Sequence, residues 1–235
     1  MRGSHVVIIG GSSGMGLATA RLALSKGARV TIVGRSLEKL RRAATEAQGA
    51  EIAVADIIDR TQVEAVFAAM QRVDHLVVTA GSFSGGRIAE TDPDVLITAV
   101  RDRIAGPIYA VKAALPLMGP DSTITLMGGQ LADRSTGDGT SPLSIAVRGL
   151  EAFAQSAALE LQPIRVNIVA PGFIDTPLFE NSFPNGREVL EAMGKTLPVR
   201  RVGTAEEAAE AMIFVMTNGF MNGEILHIDG GGRMI

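Results

Sequence analysis

The sequence predicts a single α/β domain built on a doubly wound parallel sheet with helices on both faces. Short apolar runs rich in Val and Ile alternate with longer amphipathic segments along all 235 residues. No Pro- or Ser-rich linker divides the chain, and no internal repeat interrupts the alternation. Hydrophobic residues make up 46% of the chain and charged residues 20%, which is typical of a globular protein with one core.

Seven apolar runs bounded by turn residues predict buried strands. They are His5–Ile9, Arg29–Val33, Glu51–Val54, His75–Thr79, Thr123–Met127, Arg165–Val169 and Glu224–Ile228. Helical patterns lie between them, at 14–26, 36–48, 60–72, 92–118, 141–162 and 205–217. The stretch 173–204 breaks this rhythm and is rich in proline and glycine, so it predicts a lid or substrate loop.

The composition excludes several classes of function. A formal net charge of −3 argues against a nucleic-acid-binding protein that relies on a basic surface. The absence of cysteine excludes disulfides, thiolate-bound metals and a cysteine nucleophile. No apolar run reaches the roughly 18 residues of a membrane span, and no signal-peptide pattern opens the chain. The histidines are scattered, so we expect no metal site. Because the chain shows no membrane span and no signal peptide, we expect no membrane partner and a cytoplasmic location.

A glycine-rich turn follows the first predicted strand and leads directly into a helix. Glycines there allow a tight turn and a close approach of backbone to a pyrophosphate, while the helix N-terminus offers free N–H groups. In this context the turn predicts a dinucleotide site, although a merely tight turn is the alternative. The residues expected to contact the cofactor are Gly10, Ser12, Ser13, Gly14, Met15 and Gly16.

The end of the second strand indicates which dinucleotide binds. NAD sites usually place an acidic residue there to hold the ribose hydroxyls, but this chain has Gly34 followed by Arg35 and Ser36. A guanidinium suits the 2′-phosphate of NADP through its charge and its paired donors, and the Ser36 hydroxyl can add a contact. The sequence therefore favours NADP(H) as the cofactor. The alternative is a solvated arginine at a helix start.

Four further segments follow predicted strands or form the last one: Asp56-Ile57-Ile58-Asp59, Val78-Thr79-Ala80-Gly81, Ala170-Pro171-Gly172-Phe173-Ile174-Asp175-Thr176, and Gly223-Glu224 through Asp229-Gly230-Gly231. With the glycine turn, they resemble nearly end to end the motifs of the short-chain dehydrogenase/reductase family. The resemblance implies a Rossmann-type fold, a nicotinamide cofactor and a homodimer or homotetramer. It implies cofactor contacts from Asp56, Ile57, Ala80, Gly81, Pro171, Gly172, Ile174 and Thr176.

The catalytic positions depart from that resemblance. The family uses an asparagine, a serine and a Tyr-x-x-x-Lys pair, but here Leu143 stands at the tyrosine position and Val147 at the lysine position. The serine position falls on Gly129 or Gln130, and Arg103 stands at the asparagine position. One hypothesis is that Arg103 reaches into the catalytic space and contacts the nicotinamide ribose or an anionic or carbonyl oxygen. The alternative is a surface or interface arginine.

These features predict an NADPH-dependent reductase with a non-standard active site. Without a positioned acid, such a protein would reduce a small and already activated acceptor: an iminium, quinone, enone or carbonyl. The alternative is a catalytically inactive NADP(H)-binding sensor or scaffold, and a non-redox isomerase or lyase is a third reading. An apolar substrate pocket is expected from Leu143, Val147, Leu178, Phe179 and Phe183.

Overall fold

The computed structural model of this chain describes residues 1–81, 85–182 and 185–235. In these residues seven parallel strands form one sheet in the order β3-β2-β1-β4-β5-β6-β7, which confirms the predicted doubly wound architecture. The strands are β1 (His5–Ile9), β2 (Arg29–Gly34), β3 (Glu51–Val54), β4 (His75–Val78), β5 (Thr123–Met127), β6 (Arg165–Pro171) and β7 (Ile225–Ile228). Each observed strand overlaps a predicted one.

Helices cover both faces of the sheet. They are α1 (Gly14–Ser25), α2 (Leu37–Glu46), α3 (Arg60–Ala68), α4 (Pro93–Ala114), α5 (Ser141–Glu160), α6 (Pro177–Ser182), α7 (Gly186–Thr196) and α8 (Ala205–Thr217). One core packs under α3, α4 and α5, and a second under α1, α2 and α8. Along β1, Val7 and Ile9 belong to the first core and Val6 and Ile8 to the second, as the period of two requires.

The stretch 173–204 differs from the loop that its composition predicts, because it contains α6 and α7. Pro177 and Pro198 do not oppose these helices. Pro177 is the first residue of α6, where the missing N–H has no intrahelical partner in any case, and Pro198 comes after α7 has ended. Whether the stretch acts as a lid remains a prediction.

The order of the strands locates the crevice in which such sheets bind ligands. β1 pairs with β2 on one side and with β4 on the other, so the connections leave in opposite directions at this point. Ile9 is paired with Val78, and the glycine turn and the segment after β4 therefore emerge side by side. None of the helices in the described residues is long and apolar enough to cross a membrane.

Candidate functional site

The glycine turn after β1 is packed too tightly for side chains. Gly10 has φ +94°, and a methyl group placed on it would lie 2.6 Å from the Ala80 amide nitrogen. A methyl group on Gly16 would overlap the Gly10 carbonyl oxygen. The Ala80 N–H donates to the Ile9 carbonyl at 3.0 Å, which fixes the two segments against each other. The glycines are therefore required by close backbone approach.

The N-terminus of α1 faces this crevice with its N–H groups free of side-chain capping. Ser13 occupies the N-cap position in an extended conformation, but its hydroxyl makes no capping hydrogen bond. Met15 packs partly buried against the core. The Thr176 side chain lies 3.2 Å from the position of a methyl group on Gly14, so the segment after β6 closes one side of the turn. Free N–H groups at a helix start are suited to a phosphate.

Arg35 and Asp56 flank the carboxyl ends of β2 and β3. The Arg35 Nη1 atom lies 4.0 Å from Asp56 Oδ2, and the Arg35 side chain is 77% exposed. Ser36 caps α2 by accepting a hydrogen bond from the Lys39 N–H at 3.3 Å, so its oxygen already has a structural task. The Ser12 Oγ lies 3.5 Å from the position of a methyl group on Gly34, which places this hydroxyl beside the same opening.

Arg103, on α4, extends over Gly81 at the carboxyl end of β4. A methyl group on Gly81 would overlap the guanidinium and lie 3.1 Å from Arg103 Nε. Burial lowers the pKa of Arg103 to about 10, which still leaves it protonated at neutral pH. One turn further along the helix, Gly106 approaches Ile57, whose side chain lies 2.8 Å from the position of a methyl group on it. The segments after β3 and β4 thus both contact α4.

The residues at the family's tyrosine and lysine positions form an apolar patch. Leu143 is 8% exposed and Val147 is 2% exposed, both on α5. A methyl group on Gly129 would lie 3.9 Å from Val147 Cγ1 and 4.0 Å from the Pro171 carbonyl oxygen, whereas the Gln130 side chain is directed at Gly232. Gly129 is therefore the one of the two serine-position residues that faces this patch. No proton donor is supplied by these side chains.

The segment after β6 is held on both sides. The Gly172 N–H donates to the Ile228 carbonyl at 3.2 Å, and Ile174 forms a bridge with Gly203. The rings of Phe173 and Phe179 meet edge to face with centroids 6.1 Å apart, and Leu178 is partly exposed beside them. Pro171 ends β6 itself. Phe183, also predicted to line the pocket, lies outside the described residues.

A charged network behind the patch has no signal in the sequence. Asp133, just after β5, accepts from His227 Nε2 on β7 at 2.7 Å and pairs with Arg148 of α5 at 3.3 Å. Arg148 also pairs with Glu151 at 3.1 Å. These residues lie far apart along the chain, so only the fold brings them together. They fix the segment after β5 to the last strand.

The buried carboxyl group of Glu151 should make the free energy of unfolding depend on pH. The side chain is 2% exposed, its Oε1 has no hydrogen-bond partner in the described part of the chain, and burial raises its pKa above 4.5. Because the native state holds this proton more tightly than the unfolded chain, its contribution to stability is full below pH 4.5 and is lost as pH rises through the native pKa. We expect Glu151→Gln to raise the free energy of unfolding at pH 7, because it removes the desolvated charge while its amide oxygen can still accept the hydrogen bond from Arg148.

Urea denaturation at several pH values checks this prediction. The advantage of Glu151→Gln should shrink as pH falls towards 4.5, because the native carboxyl is then protonated as well. Glu160→Gln, at an exposed position of the same helix, should change stability little at any pH. An advantage that grows on acidification would contradict the assignment.

The described residues contain no group of three or more His, Cys, Asp or Glu side chains placed to hold a metal ion. The features that converge at the switch point are instead backbone N–H groups, two arginines and apolar surfaces. These are the means by which proteins bind a phosphorylated, planar organic cofactor.

Comparisons with known proteins agree with this geometry. A family described as enoyl-(acyl carrier protein) reductase matches residues 10–232. The chain is 31% identical to a 3-oxoacyl-[acyl-carrier-protein] reductase of Bos taurus, over 95% of each chain. A small-chain dehydrogenase solved in complex with NADPH superposes with a TM-score of 0.85, at 26% identity over 99% of this chain and 100% of the other. The protein BdcA, also solved with NADPH, gives 0.87 at 28% identity, over 98% and 94%.

Proposed function

The chain belongs to the short-chain dehydrogenase/reductase family, and from this premise we propose that it is an NADPH-dependent reductase with a non-standard active site. The observation that carries the proposal is the combination of a complete cofactor crevice with an apolar catalytic patch. Its acceptor is small and already activated: an iminium, quinone, enone or carbonyl. The matching family and the Bos taurus relative are both described as reductases, which favours reduction as the working direction.

The residues present fit a nicotinamide dinucleotide. Backbone N–H groups at the start of α1 would hold the pyrophosphate, because the tight glycine turn leaves them uncapped. Arg35 would bind the 2′-phosphate, and its exposed side chain is free to turn from Asp56 towards that group. When bound, NADPH supplies the hydride. The full set of residues proposed to contact it is Gly10, Ser12, Ser13, Gly14, Met15, Gly16, Arg35, Ser36, Asp56, Ile57, Ala80, Gly81, Pro171, Gly172, Ile174 and Thr176.

The chain's own contribution to the reaction is binding and orientation. Holding the acceptor against the cofactor supplies proximity and orientation, which need no acid. A positioned acid would add about 10²–10⁴-fold, and neither Leu143 nor Val147 can provide it. An activated acceptor tolerates that loss, since the proton comes later from water or from a group on the substrate.

We also propose that the protein is a homodimer or homotetramer built through α4 and α5. Ile97 on α4 and Ile145 and Leu159 on α5 are 66%, 58% and 72% exposed, which is unusual for large aliphatic side chains. A second copy of the chain would cover them. The cytoplasmic location remains a prediction.

Calorimetric titration with NADPH and separately with NADH tests the proposal. We expect micromolar binding of NADPH and at least about tenfold weaker binding of NADH, because NADH lacks the 2′-phosphate that Arg35 would bind. Consumption of NADPH is then followed by absorbance with one iminium, one quinone, one enone and one simple ketone. If the protein binds neither NADPH nor NADH, the proposed reductase function is overturned.

Binding without consumption by any acceptor would favour a different function. The apolar side chains at the tyrosine and lysine positions are the observation that makes this second candidate worth testing. In that case the protein is an NADP(H)-binding sensor or scaffold.

A further inference from the structure

Resting on the proposed reductase function, we infer that Arg103 is the anion-binding group of the acceptor site. It selects an acceptor that carries a carboxylate, or one whose oxygen becomes negative on hydride transfer, and it disfavours a cationic acceptor. The cofactor crevice and the apolar patch do not discriminate among the proposed acceptors, whereas a guanidinium in the acceptor site does.

The first support is that Arg103 has no internal counter-ion. Of the residues that the structure describes, no carboxylate lies within ion-pair distance of its guanidinium, and no hydrogen bond from it is found. The remaining residues, Ser-Phe-Ser at 82–84 and Phe-Pro at 183–184, contain no carboxylate. By contrast Arg101, two residues earlier on α4, pairs with Asp102 at 2.9 Å. A partly buried cation without a partner is costly, and a bound anion would remove that cost.

The second support is the position of the guanidinium. It lies over Gly81, three residues beyond the end of β4, where only a glycine leaves room for it. β4 is the strand next to β1 at the switch point, and its other neighbour is β5, which leads to Gly129 and the apolar patch. The charge is therefore presented at the carboxyl edge of the sheet, between the glycine turn and the space left by the catalytic positions.

The third support is the local backbone. Pro107 lies four residues after Arg103 within α4 and has no N–H to donate to the Arg103 carbonyl oxygen. Gly106 brings this part of the helix against Ile57. At this point the helix therefore lies against the segment after β3, and the Arg103 side chain extends from it to Gly81, beyond the end of β4.

The sign of this charge discriminates among the proposed acceptors. A guanidinium stabilises an oxygen that becomes negative as hydride arrives, and so it would do part of the work of the missing acid without giving up a proton. An enone, a quinone or a carbonyl benefits from this. An iminium is already cationic and is repelled in a site where water screens poorly. We therefore expect the iminium to be the poorest of the four classes.

The experiment measures binding of small probes to the protein saturated with NADP⁺. Benzoate is compared with benzamide to represent a carboxylate, and 4-nitrophenolate with 4-nitroanisole to represent a negative oxygen. We expect at least one anion to bind tenfold or more tightly than its neutral partner. Arg103→Gln should abolish this preference, Arg103→Lys should retain part of it, and Arg101→Gln should leave it unchanged.

The two anions distinguish the sources of the charge. Preference for benzoate indicates a carboxylate on the substrate, and preference for 4-nitrophenolate indicates an oxygen that becomes negative in the reaction. Equal binding of anions and neutral partners, or a preference that survives in Arg103→Gln, would overturn the inference. NADPH binding and consumption are measured separately, so failure of this inference would not contradict the reductase function. The anion preference, in turn, is measured without turnover.

Discussion

Replacing Arg35 by alanine is expected to weaken NADPH binding by about 10- to 100-fold and to leave NADH binding unchanged. In the free protein Arg35 is 77% exposed and its contact with Asp56 is long, at 4.0 Å, so little stability is lost with it. In the complex it would form charge-assisted hydrogen bonds with the 2′-phosphate, each worth about 1.5–3 kcal/mol. Calorimetric dissociation constants for both nucleotides measure the change.

Two variants sharpen this test. Arg42→Ala removes an exposed arginine from the neighbouring α2 and controls for loss of positive charge in general. Gly34→Asp, combined with Arg35→Ala, places a carboxylate where NAD sites use one. The nearest atoms to a Cβ at Gly34 belong to Leu40 and Ser12, at 3.5 Å, which is an ordinary van der Waals contact. We expect the double variant to prefer NADH. An equal loss of NADPH and NADH affinity in Arg35→Ala would contradict the assignment.

The architecture could be predicted from the sequence because its signals are local. The inner strands β1 and β5 are short apolar runs buried on both faces, and each helix between two strands shows its own period. The observed β1, β3 and β5 have the predicted bounds. The helices α6 and α7 were missed because prolines and glycines are read as breakers, whereas Pro177 stands at a helix start that tolerates it.

Within the site, backbone constraints were easier to predict than side-chain networks. The glycine turn is recognisable because close approach excludes a side chain at particular positions, and the structure accounts for Gly10 and Gly16 in that way. The ambiguity between Gly129 and Gln130 needed the direction of a side chain, which no pattern of spacing supplies. The contact between Asp133 and His227 joins residues separated by 94 positions, and only the three-dimensional fold brings such pairs together.

Gly16→Ala is expected to weaken the binding of both NADPH and NADH by about 100-fold or more, whereas Arg35→Ala should weaken the binding of NADPH alone. A methyl group on Gly16 would overlap the Gly10 carbonyl oxygen and lie 2.7 Å from Thr79 Oγ1. Backbone cannot rotate away as a flexible side chain can, so the turn itself must shift. The N–H groups that would hold the pyrophosphate then lose their positions, and the pyrophosphate is common to NADPH and NADH.

Stability should fall in the same variant, although alanine is the better helix former. The gain in helix propensity is about 1 kcal/mol, whereas overpacking typically costs about 1–3 kcal/mol. We therefore expect the clash with backbone to outweigh the gain and to lower the free energy of unfolding. Gly119→Ala is the matched control, because a methyl group there meets nothing within 4 Å. Urea denaturation and calorimetry of both variants separate the two effects. If Gly16→Ala kept its affinity for NADH while losing NADPH, the glycine turn would not be the shared pyrophosphate site, and the cofactor would have to enter the crevice from elsewhere.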